Sequence, residues 1–403
     1  PDQAAVWAYG RVAMNEFANA GIRLIDVSPT LEPGVAAVRL ADEILKSGAE
    51  REVIIDGRRR SGLRIVQGGL FSDSEVAADA NPAMRLDILR QGSLDQLSWH
   101  AVGRKAPEGN EIEIAVEASG LNFRDVMWAL GLLPEEALED GFAGPTLGME
   151  CCGIVLATGP DAARFRPGDR VITFAPACFA SHVTVSEDAC APMPSTVSAE
   201  EAATIPVTFL TAYYALVHLA RLSEGETVLI HGGAGGVGLA ALQIAKWRGA
   251  RVITTAGSEE KRSFLRLLGA DLVLDSRSLA FVDEVMTATD GEGVDVVLNS
   301  LFGEAMERSI EVLRPFGRFL ELGKRDYYGN TRIGLRPFRQ NLTYFGIDAD
   351  QLLTRQPKLA KELFVELVRL FEAGTLAPLP YRVFEADGVV EAFVHIRRPR
   401  VLE

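Results

Sequence analysis

The chain has 403 residues, with 41 Lys+Arg against 55 Asp+Glu and a net charge of −14. That length predicts two or three domains, and 48% hydrophobic with 24% charged residues excludes a disordered or collagen-like chain. The acidic balance argues against a nucleic-acid binder. No apolar run approaches the eighteen or so residues of a membrane span, and no basic, then apolar, leader marks a signal peptide. A first residue of Pro1 suggests a piece of something longer.

Residues 1–70 read as a small α/β piece. A helical pattern runs from Ala4 to Phe17, a strand from Ile22 to Val27, and a helix over about 34–48. A strand at Val53-Ile54-Ile55 enters an Asp56-Gly57 turn and returns as Leu63-Arg64-Ile65-Val66. Residues 72–83 read as a linker. From about 84 the texture becomes all-β, with strands predicted at 85–88, 97–101, 111–116, 153–157 and 167–171. Short strands with tight turns predict a partly open barrel.

Near 225 the pattern changes again. Strands are predicted at Thr227–Ile230, Arg251–Thr255, Leu272–Leu274 and Val294–Leu298. Helices alternate with them at Leu239–Trp247, Glu259–Leu268 and about 280–289. That alternation predicts a doubly wound parallel sheet. The fold class is therefore α/β, a barrel domain plus a dinucleotide-binding sheet behind a small N-terminal segment.

The cysteines are Cys151, Cys152, Cys178 and Cys190, and no C-x2-C pair gives structural zinc spacing. Buried thiols in a reduced, cytoplasmic compartment are expected. Histidines at 100, 182, 218, 231 and 395 have no partner at ligand spacing, so no metal is expected.

His231-Gly232-Gly233-Ala234-Gly235-Gly236-Val237-Gly238 follows a strand and opens a helix. In that context bare backbone can approach a pyrophosphate at the helix N-terminus. Gly233, Ala234, Gly235, Gly236 and Val237 are the candidate cofactor contacts. The next strand ends Thr254-Thr255-Ala256-Gly257-Ser258, with no acid to accept bonds from a ribose 2′-hydroxyl. Thr255, Gly257, Ser258, Lys261 and Arg262 suit a 2′-phosphate, which predicts NADPH over NADH. Glu259 and Glu260 work against it. Lys324 follows a glycine turn at a predicted strand end, where open α/β sheets bind ligands. It is a cation able to bond a forming enolate or relay a proton.

Residues 84–395 resemble the zinc-free medium-chain dehydrogenases/reductases. They look most like the enoyl reductase domain of type I polyketide synthases and animal-type fatty acid synthase. The matching stretches are Gly120–Met127, Gly148-Met149-Glu150, Pro167–Val171, Pro206–Ala212, the Gly232–Gly238 loop, Val296–Leu301 and Gly317–Lys324. Residues 1–70 resemble part of the ketoreductase-like structural subdomain that precedes such reductases. Zinc-dependent relatives carry Cys in the Asn122 region and His where this chain has Met149. The resemblance therefore implies hydride transfer without a Lewis acid.

The resemblance implies domains at 1–75 (ketoreductase-like fragment and linker), 84–208 (GroES-like substrate domain, completed by 345–403) and 209–344 (Rossmann NADPH domain). It implies Asp348 as the acidic partner of Lys324, and a substrate pocket lined by Asn122, Phe123, Val126, Met127 and Thr208. Asn299, Ser300 and Leu301 would end a strand beside the nicotinamide, with Leu322 and Gly323 at the neighbouring strand end. Some relatives carry a tyrosine after the Arg-Asp pair, linked to methyl-branch configuration; this chain has Val126-Met127-Trp128. The family continues with a His-Ile-Gly-Lys-like segment and a final strand, so the chain looks truncated after Arg398-Pro399-Arg400, and Leu402-Glu403 reads as vector-derived.

The implied partners are an acyl carrier protein bearing a phosphopantetheine-linked enoyl group, other megasynthase domains and a possible second copy, with no nucleic acid and no membrane. Arg325, Arg336 and Arg339 are the candidate carrier dock. A stand-alone quinone or enone reductase and an inactive scaffold remain as alternatives; residues 1–70 have no use in the former.

Overall fold

The computed structural model describes residues 2–17, 21–28, 31–45, 51–56, 59–62, 82–134, 136–139 and 141–397. The chain divides into two compact units, Pro1–Phe71 and Ser72–Glu403.

The first unit carries helix α1 (Asp2–Glu16), strand β1 (Leu24–Val27), helix α2 (Pro33–Leu45) and strands β2 (Glu52–Asp56) and β3 (Arg59–Gly62). β1 and β2 are parallel, joined through α2, and β3 returns antiparallel to β2. The expected return strand at Leu63–Val66 lies outside the described residues; the pairing is made by Arg59–Gly62. Glu43, almost fully buried, accepts from Arg23 and from Arg60 at 2.6 and 2.8 Å. Arg60 first, with Arg23, outweighs burial and holds its carboxyl down at about 2.

In the second unit, β4 (Ala83–Ile88) pairs with β5 (Leu97–Val102). The linker expected over 72–83 lies outside the described residues except for its end, where Ala83 already opens β4. Strands β6 (Glu111–Gly120), β7 (Glu150–Thr158), β8 (Arg170–Phe174), β9 (His182–Ser186) and β10 (Cys190–Pro192) form an antiparallel sheet in the order β10-β8-β7-β6-β9. Helix α3 (Phe123–Ala129) leaves the end of β6. The strand expected from Pro167 begins only at Arg170, because Gly168 turns with φ 97°.

Helix α4 (Pro206–Tyr213) leads into the second half. Strands β11 (Thr227–Ile230), β12 (Arg251–Ala256), β13 (Leu272–Asp275), β14 (Val294–Asn299), β15 (Leu313–Glu321) and β16 (Thr343–Gly346) make a parallel sheet ordered β13-β12-β11-β14-β15-β16. Its crossovers are α5 (Gly236–Trp247), α6 (Glu259–Leu267), α7 (Phe281–Ala288) and α8 (Glu304–Glu311). The sheet takes in Thr343–Gly346, across the boundary expected at 344/345. Thereafter α9 (Pro357–Glu372) packs on α4 and β10, and α10 (Val389–Arg397) on α3, back on the barrel side.

One core joins the two halves. Ile172 and Phe174 of the barrel, Phe209 and Leu210 of α4, Val228 and Leu298 of the sheet, and Leu367 and Phe371 of α9 belong to one buried cluster. Contrary to the sequence expectation, one helical stretch, Ala199–Leu219, is long and apolar enough to cross a bilayer by length and composition; 56% of it is buried inside the unit. That stretch is the apolar seam of the core. All four cysteines are buried free thiols.

Phe209 is fully buried with its ring edge-on to Phe371 at 4.8 Å. Truncation opens a cavity at the seam, so Phe209→Ala is expected to cost about 3–5 kcal/mol in denaturant unfolding. A loss below about 1 kcal/mol would show that the halves are not held through this core.

Candidate active site

The sheet order reverses between β11 and β14, so a crevice opens at the carboxyl ends of these strands. The glycine loop leaves β11 there. Its glycines have different tasks. A Cβ on Gly233 would stand 1.9 Å from Thr254 Oγ1, and one on Gly238 2.5 Å from the Gly232 carbonyl. These two are demanded by packing of loop and helix on the sheet. Gly235 is the N-cap of α5, is exposed, and a Cβ there would meet only the Gly232 carbonyl at 3.3 Å. The backbone around Gly235 therefore faces open space with the free N–H groups of a twelve-residue helix behind it, the cradle a pyrophosphate fits. Thr208 of α4 flanks it, with Cγ2 2.9 Å from where a Gly236 Cβ would be.

Thr255 was expected among the cofactor contacts. It is fully buried; its hydroxyl bonds His231 Nδ1 at 3.1 Å and accepts from Gly232 N–H at 3.3 Å. It shapes the loop from beneath. His231 Nε2 meets Ser309 at 2.8 Å, and burial pushes the imidazole down to about 3, so it stays neutral. At the tip of β12, Ser258 caps α6 through Lys261 N–H. Arg262 is spent on Glu259, Asp275 and the Ala256 carbonyl, because it must tie α6 to the strand ends. Lys261 is exposed on α6. A cation that sequence reasoning missed stands closer: Arg277 Nε is 3.2 Å from where a Gly257 Cβ would sit, with Ser276 Oγ at 3.4 Å. Its only sequence signal was its place just past the end of the third strand.

At the other side of the crevice β14 and β15 end together. Asn299, fully buried, donates from Nδ2 to Glu321 Oε2 at 2.7 Å and to the Leu301 carbonyl at 2.9 Å. Its Oδ1 accepts from Leu301 N–H at 3.2 Å. Glu321 Oε1 accepts from Gly323 N–H at 2.6 Å, while Leu322 N–H reaches the Asn299 carbonyl. Asn299 is thus turned inward, not toward a cofactor, since its amide is saturated by the strand ends. Ser300 is exposed and Leu301 half-buried beyond it, beside Leu322 and Gly323. Burial raises the Glu321 carboxyl to about 7, against its bonds from Asn299 and Gly323.

Lys324 follows directly. Its Nζ donates to Asp348 Oδ1 at 2.7 Å and pairs with Asp350 Oδ2 at 3.5 Å. Burial opposes its charge, yet Asp350 and Asp348 outweigh it and hold its pKa above the ordinary lysine value. The structure therefore brings the expected pair together and adds Asp350.

On the barrel side, Asn122 Nδ2 donates to Glu150 Oε1 at 2.7 Å, and Glu150 Oε2 accepts from Val207 N–H at 2.7 Å. Asp125 accepts from Asn122 N–H and Gly148 N–H, both at 2.9 Å. Asn122, Phe123 and Met127 keep exposed or half-buried surface, whereas Val126 is 1% exposed within the core of Leu86, Leu147 and Phe393. Val126 is core rather than pocket lining, because it lies on the inward face of α3. Burial raises Glu150 to about 7 and Asp125 to about 6. Met149 is buried as well. Glu150 is thus engaged by both Asn122 and Val207. Among the carrier-dock candidates, Arg325 stacks over Phe302 at 4.0 Å, and Arg336 and Arg339 are exposed on one short turn.

Comparison with known proteins bears on this geometry. Residues 108–211 match the alcohol dehydrogenase GroES-like domain, and residues 236–362 the zinc-binding dehydrogenase family. The chain is 39% identical to a phenolphthiocerol/phthiocerol polyketide synthase of Mycobacterium tuberculosis over 97% of its own length and 18% of the relative's. It is 39% identical to reducing polyketide synthase hmp8 of Hypomyces subiculosus over 78% of the chain and 13% of the relative. The chain thus spans less than a fifth of the curated relatives' length. Among solved structures, the CurK enoyl reductase superposes with TM-score 0.73 and 40% identity over 79% of this chain and 96% of that one. The JamJ enoyl reductase does so with 0.73 and 32% over 79% and 96%.

Two outcomes test the site. Gly235→Val is expected to weaken dinucleotide binding more than about tenfold, or about 1.4 kcal/mol, without lowering the melting temperature; unchanged affinity by titration calorimetry would contradict it. Glu150, at about 7 when folded, binds its proton more tightly than in the unfolded chain. Its contribution to stability is present at low pH and is lost as pH rises from the ordinary carboxyl range through about 7. Glu150→Gln should reduce the fall in unfolding free energy between about pH 5 and about pH 8 by on the order of 2 kcal/mol. Identical pH slopes for both proteins in urea unfolding would refute the assignment.

Proposed function

Since the chain belongs to the medium-chain dehydrogenase/reductase superfamily and, within it, to the enoyl reductases of polyketide synthases, we propose that it uses NADPH to reduce the trans-2 double bond of an enoyl thioester on an acyl carrier protein. It is an oxidoreductase with a nicotinamide cofactor. It would act in the cytoplasm as one domain of a megasynthase, with residues 1–70 as part of a ketoreductase-like structural subdomain. The observation that carries the reading is that the open Gly235 cradle and the Lys324–Asp348 pair at 2.7 Å both lie beyond the carboxyl ends of strands of one parallel sheet.

The α5 N-terminus would hold the pyrophosphate, and Ser300, Leu301, Leu322 and Gly323 would border the nicotinamide. Bound there, the dihydronicotinamide supplies hydride to Cβ. Charge then gathers on the thioester oxygen, and Cα needs a proton. Lys324 remains an ammonium in the held geometry, so it stabilises the enolate as a fixed cation and donor. Asn122, Phe123, Met127 and Thr208 would shape the acyl side of the crevice. Asn122 is oriented by Glu150, which leaves its other face to the substrate.

NADPH selectivity is supported by β12 ending in Ala256-Gly257-Ser258 with Arg277 beside Gly257. A 2′-phosphate there meets a guanidinium and a helix N-cap, and no carboxylate ends the strand to repel it. Exposed Arg325, Arg336 and Arg339 would give an acidic carrier protein its local basic contact on an acidic chain.

The test is NADPH and NADH oxidation with a crotonyl thioester and with a quinone. Reduction of the thioester with NADPH preferred more than about tenfold is expected, and Arg277→Ala should erase most of that preference while sparing NADH turnover. Turnover of the quinone alone would assign a stand-alone quinone reductase, and equal kcat/KM for both cofactors would refute the 2′-phosphate site.

A further inference from the structure

Lys324 is held by two carboxylates rather than one. Asp348-Ala349-Asp350 follows β16 as a tight turn, in which Asp348 Oδ1 accepts from Asp350 N–H at 3.2 Å. The turn is set by the sheet, because the residue before it, Ile347, donates its N–H to the Glu321 carbonyl at 2.9 Å. Both acid side chains then face the same ammonium, Asp348 at 2.7 Å and Asp350 at 3.5 Å. Asp350 is the more enclosed of the two, with 14% of its side chain exposed against 30% for Asp348.

Asp350 also touches the substrate domain. A Cβ on Gly141 would lie 3.5 Å from its Oδ2. Arg124 of α3, which donates to the Gly144 and Thr146 carbonyls, offsets its charge. Lys324 thus pairs with both Asp348 and Asp350, and Asp350 in turn approaches Gly141 on the barrel side. An ammonium has three N–H bonds and a flexible stem. One carboxylate leaves it free to swivel; two at fixed angles do not.

We propose that Asp350 is a positioning residue of the reduction: with Asp348 it fixes two N–H directions of Lys324, so that the third faces the substrate and Cα is protonated from one side. The inference rests on the enoyl reductase reading. In balance, hydride from the dihydronicotinamide forms the Cβ–H bond and leaves an enolate. A Lys324 N–H bond then breaks as the Cα–H bond forms, and the neutral amine recovers a proton from water.

The experiment uses the whole chain with NADPH and a 2-methyl-enoyl N-acetylcysteamine thioester, scoring turnover and the configuration at C2 of the product. Asp350→Asn keeps size and the backbone turn; Asp350→Ala is the second variant. Both are expected to lower kcat about tenfold or more, leave NADPH affinity within about twofold, and shift the C2 epimer ratio toward equality. In a Lys324→Ala background, Asp350→Asn should add less than about twofold, since the two act as one unit. A folded Asp350→Asn protein with unchanged kcat and epimer ratio overturns the proposal, as does an equal further loss in the Lys324→Ala background. No thioester reduction by the unaltered chain overturns the reductase reading itself, and this proposal with it.

Discussion

The buried bond between Asn299 and Glu321 is the constraint on which the site depends. It joins the ends of β14 and β15 at 2.7 Å, away from water. On one side it fixes Leu301 through both polar groups of Asn299. On the other, Glu321 takes the Gly323 N–H, and its backbone carbonyl takes Ile347 N–H. The wall of the cofactor crevice, the turn bearing Lys324 and the turn bearing Asp348 are therefore hung on one pair of residues. Such a pair is stabilising only while every polar atom is satisfied; leaving one partner unbonded in the interior costs more than the bond contributes.

The same construction recurs across the crevice. Glu150 ties Asn122 at the end of β6 to Val207 at the start of α4, and Asp125 ties Asn122 to Gly148. Each wall of the site is thus held by an amide–carboxylate bond beneath its surface, with the candidate residues on the turns just beyond. Gly120 belongs to this arrangement: a Cβ there would stand 2.4 Å from Glu150 Oε1 and 2.5 Å from the Ala203 carbonyl. Rigid supports below and short turns above suit a reaction in which placement of hydride and proton decides the product.

The alternation of strand and helix after residue 225 made the parallel sheet legible, because each apolar run is short and bounded by turn residues. The glycine loop was legible as a loop, but the task of each glycine was not. Gly233 and Gly238 answer to neighbours in the folded state, Thr254 and Gly232, that lie on other segments or turns. Thr255, Val126 and Asn299 lie within or beside the motifs, yet tertiary packing turns them inward. Glu321, Glu150 and Asp350 were missed for the converse reason. A carboxylate in an apolar strand gives no sign of its partner when the partner is 22 or 28 residues away. Arg277 was hidden likewise, since its nearness to Gly257 arises only when β12 and β13 pair.

A polarity exchange tests the central claim most directly. Glu321→Gln sets two donors against each other at Asn299, and Asn299→Asp sets two acceptors against each other at Glu321. The double variant restores a donor facing an acceptor. Single-turnover hydride transfer from NADPH to a crotonyl thioester should fall in each single variant and recover in the double, with all three proteins folded. Singles that transfer hydride at the unaltered rate, or a double as slow as the product of the two losses, would contradict the account.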